Sequence, residues 1–227
     1  MTRFDAVLFD AGGVLVLPDP TVIGPLLSPY GGSVDVGRHR RAHYAGMRDK
    51  AREHSLEGDW GTYNRAYVES IGVDDHLREH AALVLDHTRT HHLWRWPIPE
   101  TLRALAALAE SGVPMGVVSN ASGQIADVLR RTGVCQIGEG IGATMRVVVD
   151  SHVVGVAKPD PRIFEFALLD FSEFDRARIA YVGDSVTMDV RSSASAGLHP
   201  LLIDPFDDHA GADFERITSV EDIVDWF

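Results

Sequence analysis

Four polar signals sit where apolar runs of this sequence give way to turns. Asp10 follows Ala6-Val7-Leu8-Phe9, Ser119-Asn120 follows VPMGVV, Lys158 lies in GVAKPDPRIF, and Asp184 and Asp189 lie in YVGDSVTMD. A carboxylate at the C-terminal end of a buried parallel strand stands where open α/β sheets bind their ligands. Three carboxylates gathered at one edge repel one another. A hard divalent cation with oxygen ligands, most simply Mg²⁺ with several waters retained, relieves that repulsion. A hydroxyl and a lysine beside such a metal form a pocket for a dianion such as phosphate. The glycine pair Gly12-Gly13 lets backbone N–H groups approach that ligand closely. Metal, nucleophilic carboxylate and cationic clamp together point to phosphoryl transfer through an aspartyl-phosphate.

That chemistry requires the signals to meet, although 179 positions separate Asp10 from Asp189. The elements between them supply the means. Phe4 to Phe9, Val113 to Val118, Val147 to Val149, Ile179 to Val182 and Leu201 to Ile203 are short, β-branched and continuous, the pattern of strands buried on both faces. Helical patterns alternate with them at Pro99 to Glu110, Ser122 to Thr132, Pro159 to Leu169 and Thr187 to Ala196. Three of these end in Ser111-Gly112, Thr132-Gly133 and Ala196-Gly197, which are stop signals. The alternation predicts an α/β fold, a doubly wound parallel-sheet, Rossmann-like core, in which all strand C-termini open on one edge.

Residues 16–96 break the rhythm. They show no buried strand pattern, and helical stretches fall at Gly37 to His54, Asp59 to Ile71 and Asp74 to Thr90. Pro18, Pro20, Pro97 and Pro99 mark the junctions. The expected organisation is a core of residues 1–15 and 97–227 with a helical cap domain, 16–96, inserted into it.

Composition narrows the function classes. The 227 residues are 45% hydrophobic, as in a globular chain with a sizeable core, and the formal charge of −12 opposes general nucleic-acid binding. Residues 20–95 hold ten Lys/Arg, ten Asp/Glu and eight of the eleven histidines, so the acidic excess belongs to the remainder. The single cysteine, Cys135, excludes an intramolecular disulfide and reads as a buried packing residue in a reducing compartment. A strand pattern begins by residue 4 with no secretory segment, and no run reaches the roughly 20 apolar residues of a membrane span. A cytoplasmic protein without a membrane partner is the expectation; oligomeric state is not readable.

The set FDAGGVL, VVSN, AKPDP and YVGDSVTMD resembles motifs one to four of the haloacid dehalogenase superfamily, in the branch whose helical cap is inserted just after motif one. The resemblance covers the core, at residues 1–15 and 97–204; the cap matches in position and helical character only. It implies Asp10 as nucleophile, Ser119 and Lys158 on phosphoryl oxygens, and Asp184 as a Mg²⁺ ligand with Asp189 supporting the metal directly or through water. The backbone carbonyl of Gly12 would complete the protein ligands. Asn120 and Gly13 join the substrate contacts, and the substrate would be a small phosphorylated metabolite. Ser119 and Asn120 also suit a plain turn, and Asp189 the first turn of a helix.

One departure stands out. Phosphatases of the superfamily usually carry a second aspartate where this sequence has Gly12, and that residue protonates the leaving oxygen and then activates water. A positioned acid or base contributes about 10²- to 10⁴-fold. Three explanations stay open: a substitute donor from the cap, where His39, His43 and Tyr44 lie in RHRRAHYAGMRDK; a substrate with a good leaving group; or a protein that binds a phosphorylated ligand with little or no turnover. The first two together are favoured. A 2-haloacid dehalogenase is a further alternative, opposed by the Asp184/Asp189 pair. The His87, His91, His92 cluster, the arginines from Arg38 to Arg52, and Trp60, Trp94 and Trp96 are expected in solvated or packing roles, with Arg38 to Arg52 also placed to meet phosphate.

Overall fold

The continuous apolar runs become strands because each is covered on both faces. The computed structural model describes residues 2–55, 58–90 and 92–227. In chain order the strands are β1 (Ala6–Phe9), β2 (Val16–Pro18), β3 (Trp94–Pro97), β4 (Met115–Ser119), β5 (Cys135–Ile137), β6 (Ala143–Met145), β7 (Val147–Asp150), β8 (Ile179–Gly183), β9 (His199–Ile203) and β10 (Arg216–Ile217). Six of them form one sheet in the order β10-β9-β8-β1-β4-β7, parallel throughout. Along β1, Val7 and Phe9 enter one apolar cluster and Ala6 and Leu8 the other, as a period of two demands of a strand between two layers. The strand order reverses at β1, so β1, β4 and β8 place their C-terminal ends around one crevice.

The helices are α1 (Pro20–Leu27), α2 (Val36–Arg52), α3 (Gly61–Ser70), α4 (Arg78–Thr88), α5 (Pro99–Glu110), α6 (Ile125–Arg131), α7 (Ser151–Val154), α8 (Ile163–Leu168) and α9 (Arg191–Ser195). Helix α5 has the bounds its sequence pattern predicts. Helix α6 starts later than Ser122, because Gly123 takes φ +90 and Asp150 accepts the N–H groups of Gly123 and Ile125. The pattern at Thr187 to Ala196 splits into a π turn, Val186–Val190, followed by α9. Such π turns recur at functional sites.

Helices α1 to α4 build a third apolar cluster, with Ile23, Leu27, Tyr63, Tyr67, Val68 and Leu85 at its centre. Asp19 caps α1, its side chain accepting from Thr21 N–H at 2.9 Å, with Pro20 in the first turn. Asp35 caps α2 in the same way through Arg38 N–H. Gly46 lets α2 approach α3, since a Cβ there would lie 2.4 Å from the Tyr63 ring.

Two features correct the sequence reading of residues 16–96. Val16–Pro18 is a fully buried strand, and it pairs antiparallel with Trp94–Pro97, with Val16 opposite Pro97 and Pro18 opposite Trp94. The prolines taken as junction markers thus lie at a two-stranded ribbon. Helix α1, also unforeseen, follows directly from β2. Among the described residues no helix is long and apolar enough to cross a membrane.

Candidate active site

Asp10 is the first residue after β1, and its N–H donates to the carbonyl of Val182 on β8 at 2.8 Å. The loop that follows is shaped by glycine. Gly13 has φ +70, and a Cβ on it would fall 1.9 Å from Asp184 Oδ2. Gly183 is equally constrained, because a Cβ there would meet Asp189 at 2.2 Å. These close approaches bring the ends of β1 and β8 together. As a result Asp10, Asp184 and Asp189 each offer an oxygen within 4.8 Å of the others.

Lys158 stands among these carboxylates. Its Nζ donates to Asp189 Oδ1 at 2.6 Å and to the Tyr181 hydroxyl at 2.9 Å, and lies 3.0 Å from Asp10 Oδ1. Burial alone would lower its pKa; Asp10 and Asp189 more than offset that and hold the ammonium above its ordinary range. Asp189 is spent on positioning. Its Oδ2 accepts the N–H groups of Asp184 at 3.1 Å and Ser185 at 2.9 Å, while Oδ1 takes Lys158. Support of a metal through Asp184 therefore fits Asp189 better than direct ligation.

Asn120, expected among the substrate contacts, gives both ends of its amide to Lys158: Oδ1 accepts the lysine N–H at 2.8 Å and Nδ2 donates to its carbonyl at 2.9 Å. It fixes the backbone that carries the ammonium. Ser119 is buried at the end of β4. Asp10, Gly12, Ser119, Asn120, Lys158, Asp184 and Asp189 all line one cavity of about 450 Å³.

The residues suit a hard cation. Asp10 Oδ1 is buried with no hydrogen-bond donor in bonding geometry, an orphaned acceptor of the kind a metal or a ligand satisfies. Burial, reinforced by Asp189 and Asp184 against the pull of Lys158, pushes the pKa of Asp10 up. Burial likewise raises Asp184, with His43 opposing it. An all-oxygen set of carboxylates matches Mg²⁺ and offers no soft ligand.

His43 on α2 reaches the same group. Its Nε2 lies 2.8 Å from Asp184 Oδ2 and its Nδ1 2.9 Å from the Tyr63 hydroxyl. Tyr44 donates its hydroxyl to the carbonyl of Gly13 at 2.7 Å. His39, one helical turn earlier, bonds Tyr67 and the Ser33 carbonyl instead. Of the three groups that sequence offers as substitute donors, two meet the site and one does not.

The place above Gly12 is filled by Trp94. A Cβ on Gly12 would lie 3.3 Å from Trp94 Cδ1 and 3.4 Å from Nε1. Trp94 and Trp60 line the cavity, so the packing role expected for them is incomplete. Met47, Arg89 and Thr90, which carry no motif, line it as well. His87 bonds the Leu83 carbonyl, and His91 lies outside the described residues. Cys135 is buried with its thiol pushed up to about 12, which suits packing and not nucleophilic attack.

Comparison with known proteins decides the family. A family model for haloacid dehalogenase-like hydrolases matches residues 4–197. The chain belongs to that family. A phosphoserine phosphatase of Thermus thermophilus is 29% identical over 142 residues, which are 63% of this chain and 53% of that protein. The matches span between 36% and 53% of the length of the curated relatives. Among solved structures, a haloacid dehalogenase-family phosphatase of Thermococcus onnurineus superposes with a TM-score of 0.56 at 23% identity, covering 96% of this chain and 95% of that one. A 2-haloacid dehalogenase of Pseudomonas syringae gives 0.52 at 20%, covering 97% and 96%. Both superpositions bear out the doubly wound α/β fold of this family member.

Proposed function

We propose that this chain is a Mg²⁺-dependent phosphoric monoester hydrolase acting on a small phosphorylated metabolite, with residues 16–96 as the cap over its site. The observation that carries the reading is the buried oxygen of Asp10, at ion-pair distance from Lys158 but without a hydrogen bond in good geometry, set beside Asp184 at the cavity. The phosphatase name of the Thermus relative supports it. Mg²⁺, held by Asp10, Asp184 and the carbonyl of Gly12, would supply charge compensation to the carboxylates and the phosphoryl oxygens.

Asp10 attacks phosphorus, so an O–P bond forms on its carboxylate as the bond to the leaving oxygen breaks. Lys158 and Ser119 hold phosphoryl oxygens; Asn120 and Asp189 keep the ammonium in place. Water then takes the phosphoryl group and frees Asp10. No carboxyl group at position 12 serves the leaving oxygen. His43 has both nitrogens engaged and Tyr44 its hydroxyl, so the arrangement favours substrates whose leaving oxygen needs little protonation. A single buried cysteine supports a reducing, cytoplasmic setting.

Phosphate release from p-nitrophenyl phosphate tests this, with Mg²⁺ or chelator and with Asp10→Asn as control. Activity that needs both the metal and Asp10 is expected; activity retained in Asp10→Asn would refute the nucleophile. Gly12 favours a second reading, a binder of phosphate esters without turnover, which predicts affinity and no release across a broad panel. Chloride release from a 2-chloro acid in chelator would instead revive dehalogenation.

A further inference from the structure

The cavity wall supplied by the helical layer holds a cation that the chemistry above does not use. Arg89 follows α4 with extended backbone, φ −64 and ψ 108. Its guanidinium carbon lies 4.1 Å from the ring centroid of Trp60, 5.2 Å from that of Tyr63 and 5.5 Å from that of Trp94. Nη2 donates to Asn64 Oδ1, whose amide nitrogen donates onward to Asp86 at 3.0 Å. Nε is buried without a partner. Among the described residues, no carboxylate lies within ion-pair distance of this guanidinium.

A half-buried charge with an enclosed, unpartnered Nε is costly, and it persists where something pairs it. Burial draws the Arg89 pKa below its ordinary value, with Tyr63, Asp86 and Tyr67 opposing, yet an arginine stays protonated. With aromatic rings crowding the guanidinium, the approach left to a ligand is along its edge, the direction of a planar carboxylate pair.

Among the described residues, Lys158 and Arg89 are the two Lys/Arg side chains lining the cavity. Lys158 is compensated by Asp10 and Asp189; among the described residues Arg89 has no ion-pair partner and reaches Asp86 only through Asn64. Trp60 and Trp94 stand beside Arg89, and with Met47 they offer the cavity apolar surface. We propose that Arg89 receives a carboxylate on the substrate, so that the substrates are phosphate monoesters of hydroxy acids with a short apolar body and an acidic hydroxyl, such as a phenol, whose oxygen leaves with little protonation. One guanidinium matches a single negative charge; a second phosphoryl group, doubly charged, would call for more cations than this wall has. The inference rests on the hydrolase reading and specifies its substrate class.

Matched pairs test it: phosphate monoesters of hydroxy acids and of their primary amides, over a series of spacer lengths, assayed for phosphate release with Mg²⁺. At one or more lengths the acid is expected to exceed the amide in kcat/KM by roughly 10- to 100-fold, the range of one charged hydrogen bond. Arg89→Met should erase that preference by raising the KM of the acids to that of the amides; Arg89→Lys, which keeps the charge, should retain part of it. Equal turnover of acid and amide at every length would overturn the proposal. So would an equal loss on both in Arg89→Met, the sign of a merely structural residue. If the wild-type protein releases no phosphate from any ester, the hydrolase reading fails separately. Binding of the free hydroxy acids, read by tryptophan fluorescence in wild type and Arg89→Met, then decides: quenching lost in the variant upholds the carboxylate site, and no quenching in either sinks it.

Discussion

Nε2 of His43 on α2 lies 2.8 Å from Oδ2 of Asp184 at the end of β8, with both side chains buried. This contact joins the helical layer to the carboxylate cluster. It also leaves Asp184 one oxygen clear of the imidazole.

Removing it should unbalance the cluster. In His43→Ala, Asp184 stays buried without its partner, a loss of about 1–3 kcal/mol for an unsatisfied group. Chemical denaturation of metal-free protein should show that loss, and Mg²⁺ should stabilise the variant more than the wild type because the carboxylate keeps only the weaker pull of Lys158. Equal stabilisation by Mg²⁺ would show that the imidazole does not serve Asp184.

Asn120→Ala should act through Lys158. Freeing a backbone held at both N–H and carbonyl allows the ammonium to drift, and misplacement of about 1 Å costs up to about 10²-fold. The expected result is a fall in kcat on p-nitrophenyl phosphate with a near-native Tm. A change confined to KM would return Asn120 to the substrate contacts.

Gly12→Asp should speed hydrolysis of alkyl phosphates more than of p-nitrophenyl phosphate, within the ~10²- to 10⁴-fold reach of a general acid. The new Cβ meets Trp94 at 3.3 Å, so the indole must yield by a few tenths of an ångström. Adding Trp94→Phe should therefore enlarge the gain. Equal effects on both leaving groups would count against a missing acid.

Acid should weaken the helical layer through His39. Burial lowers its pKa, against the pull of the Ser33 carbonyl and Asp35. The unfolded state then binds more protons than the folded one, so stability falls as pH drops below the unfolded value near 6.5 and keeps falling to the lowered folded value. Between about pH 8 and about pH 5.5 the Tm of the wild type should fall further than that of His39→Gln. Parallel losses would assign the acid sensitivity elsewhere.

How much of this was legible depends on range. Strands β1, β4, β7, β8 and β9 announce themselves because burial on both faces writes continuous apolar runs, and Asp10 and Asp184 end two of them. The ribbon does not. Val16–Pro18 has three residues, one a proline, and its partner lies about 78 positions away, so no local pattern marks it. His39 and His43 share a helix and a stripe, and only packing against Tyr67 or Asp184 tells them apart. Asn120 has the right type in the right turn, yet its partner is a backbone that sequence cannot place. Trp60, Arg89 and Trp94 have no motif, because a cavity wall built from several helices has no fixed spacing.

The β2–β3 ribbon has an evolutionary consequence. The chain leaves the sheet and returns to it through two strands that pair with each other, so the ends of everything between them lie one strand spacing apart, about 4.8 Å. Any segment whose ends meet that spacing can be spliced in at no cost to the sheet's register, and the closure entropy grows only slowly with its length. The inserted segment can thus be exchanged as a cassette while the carboxylates at the sheet edge stay where they are.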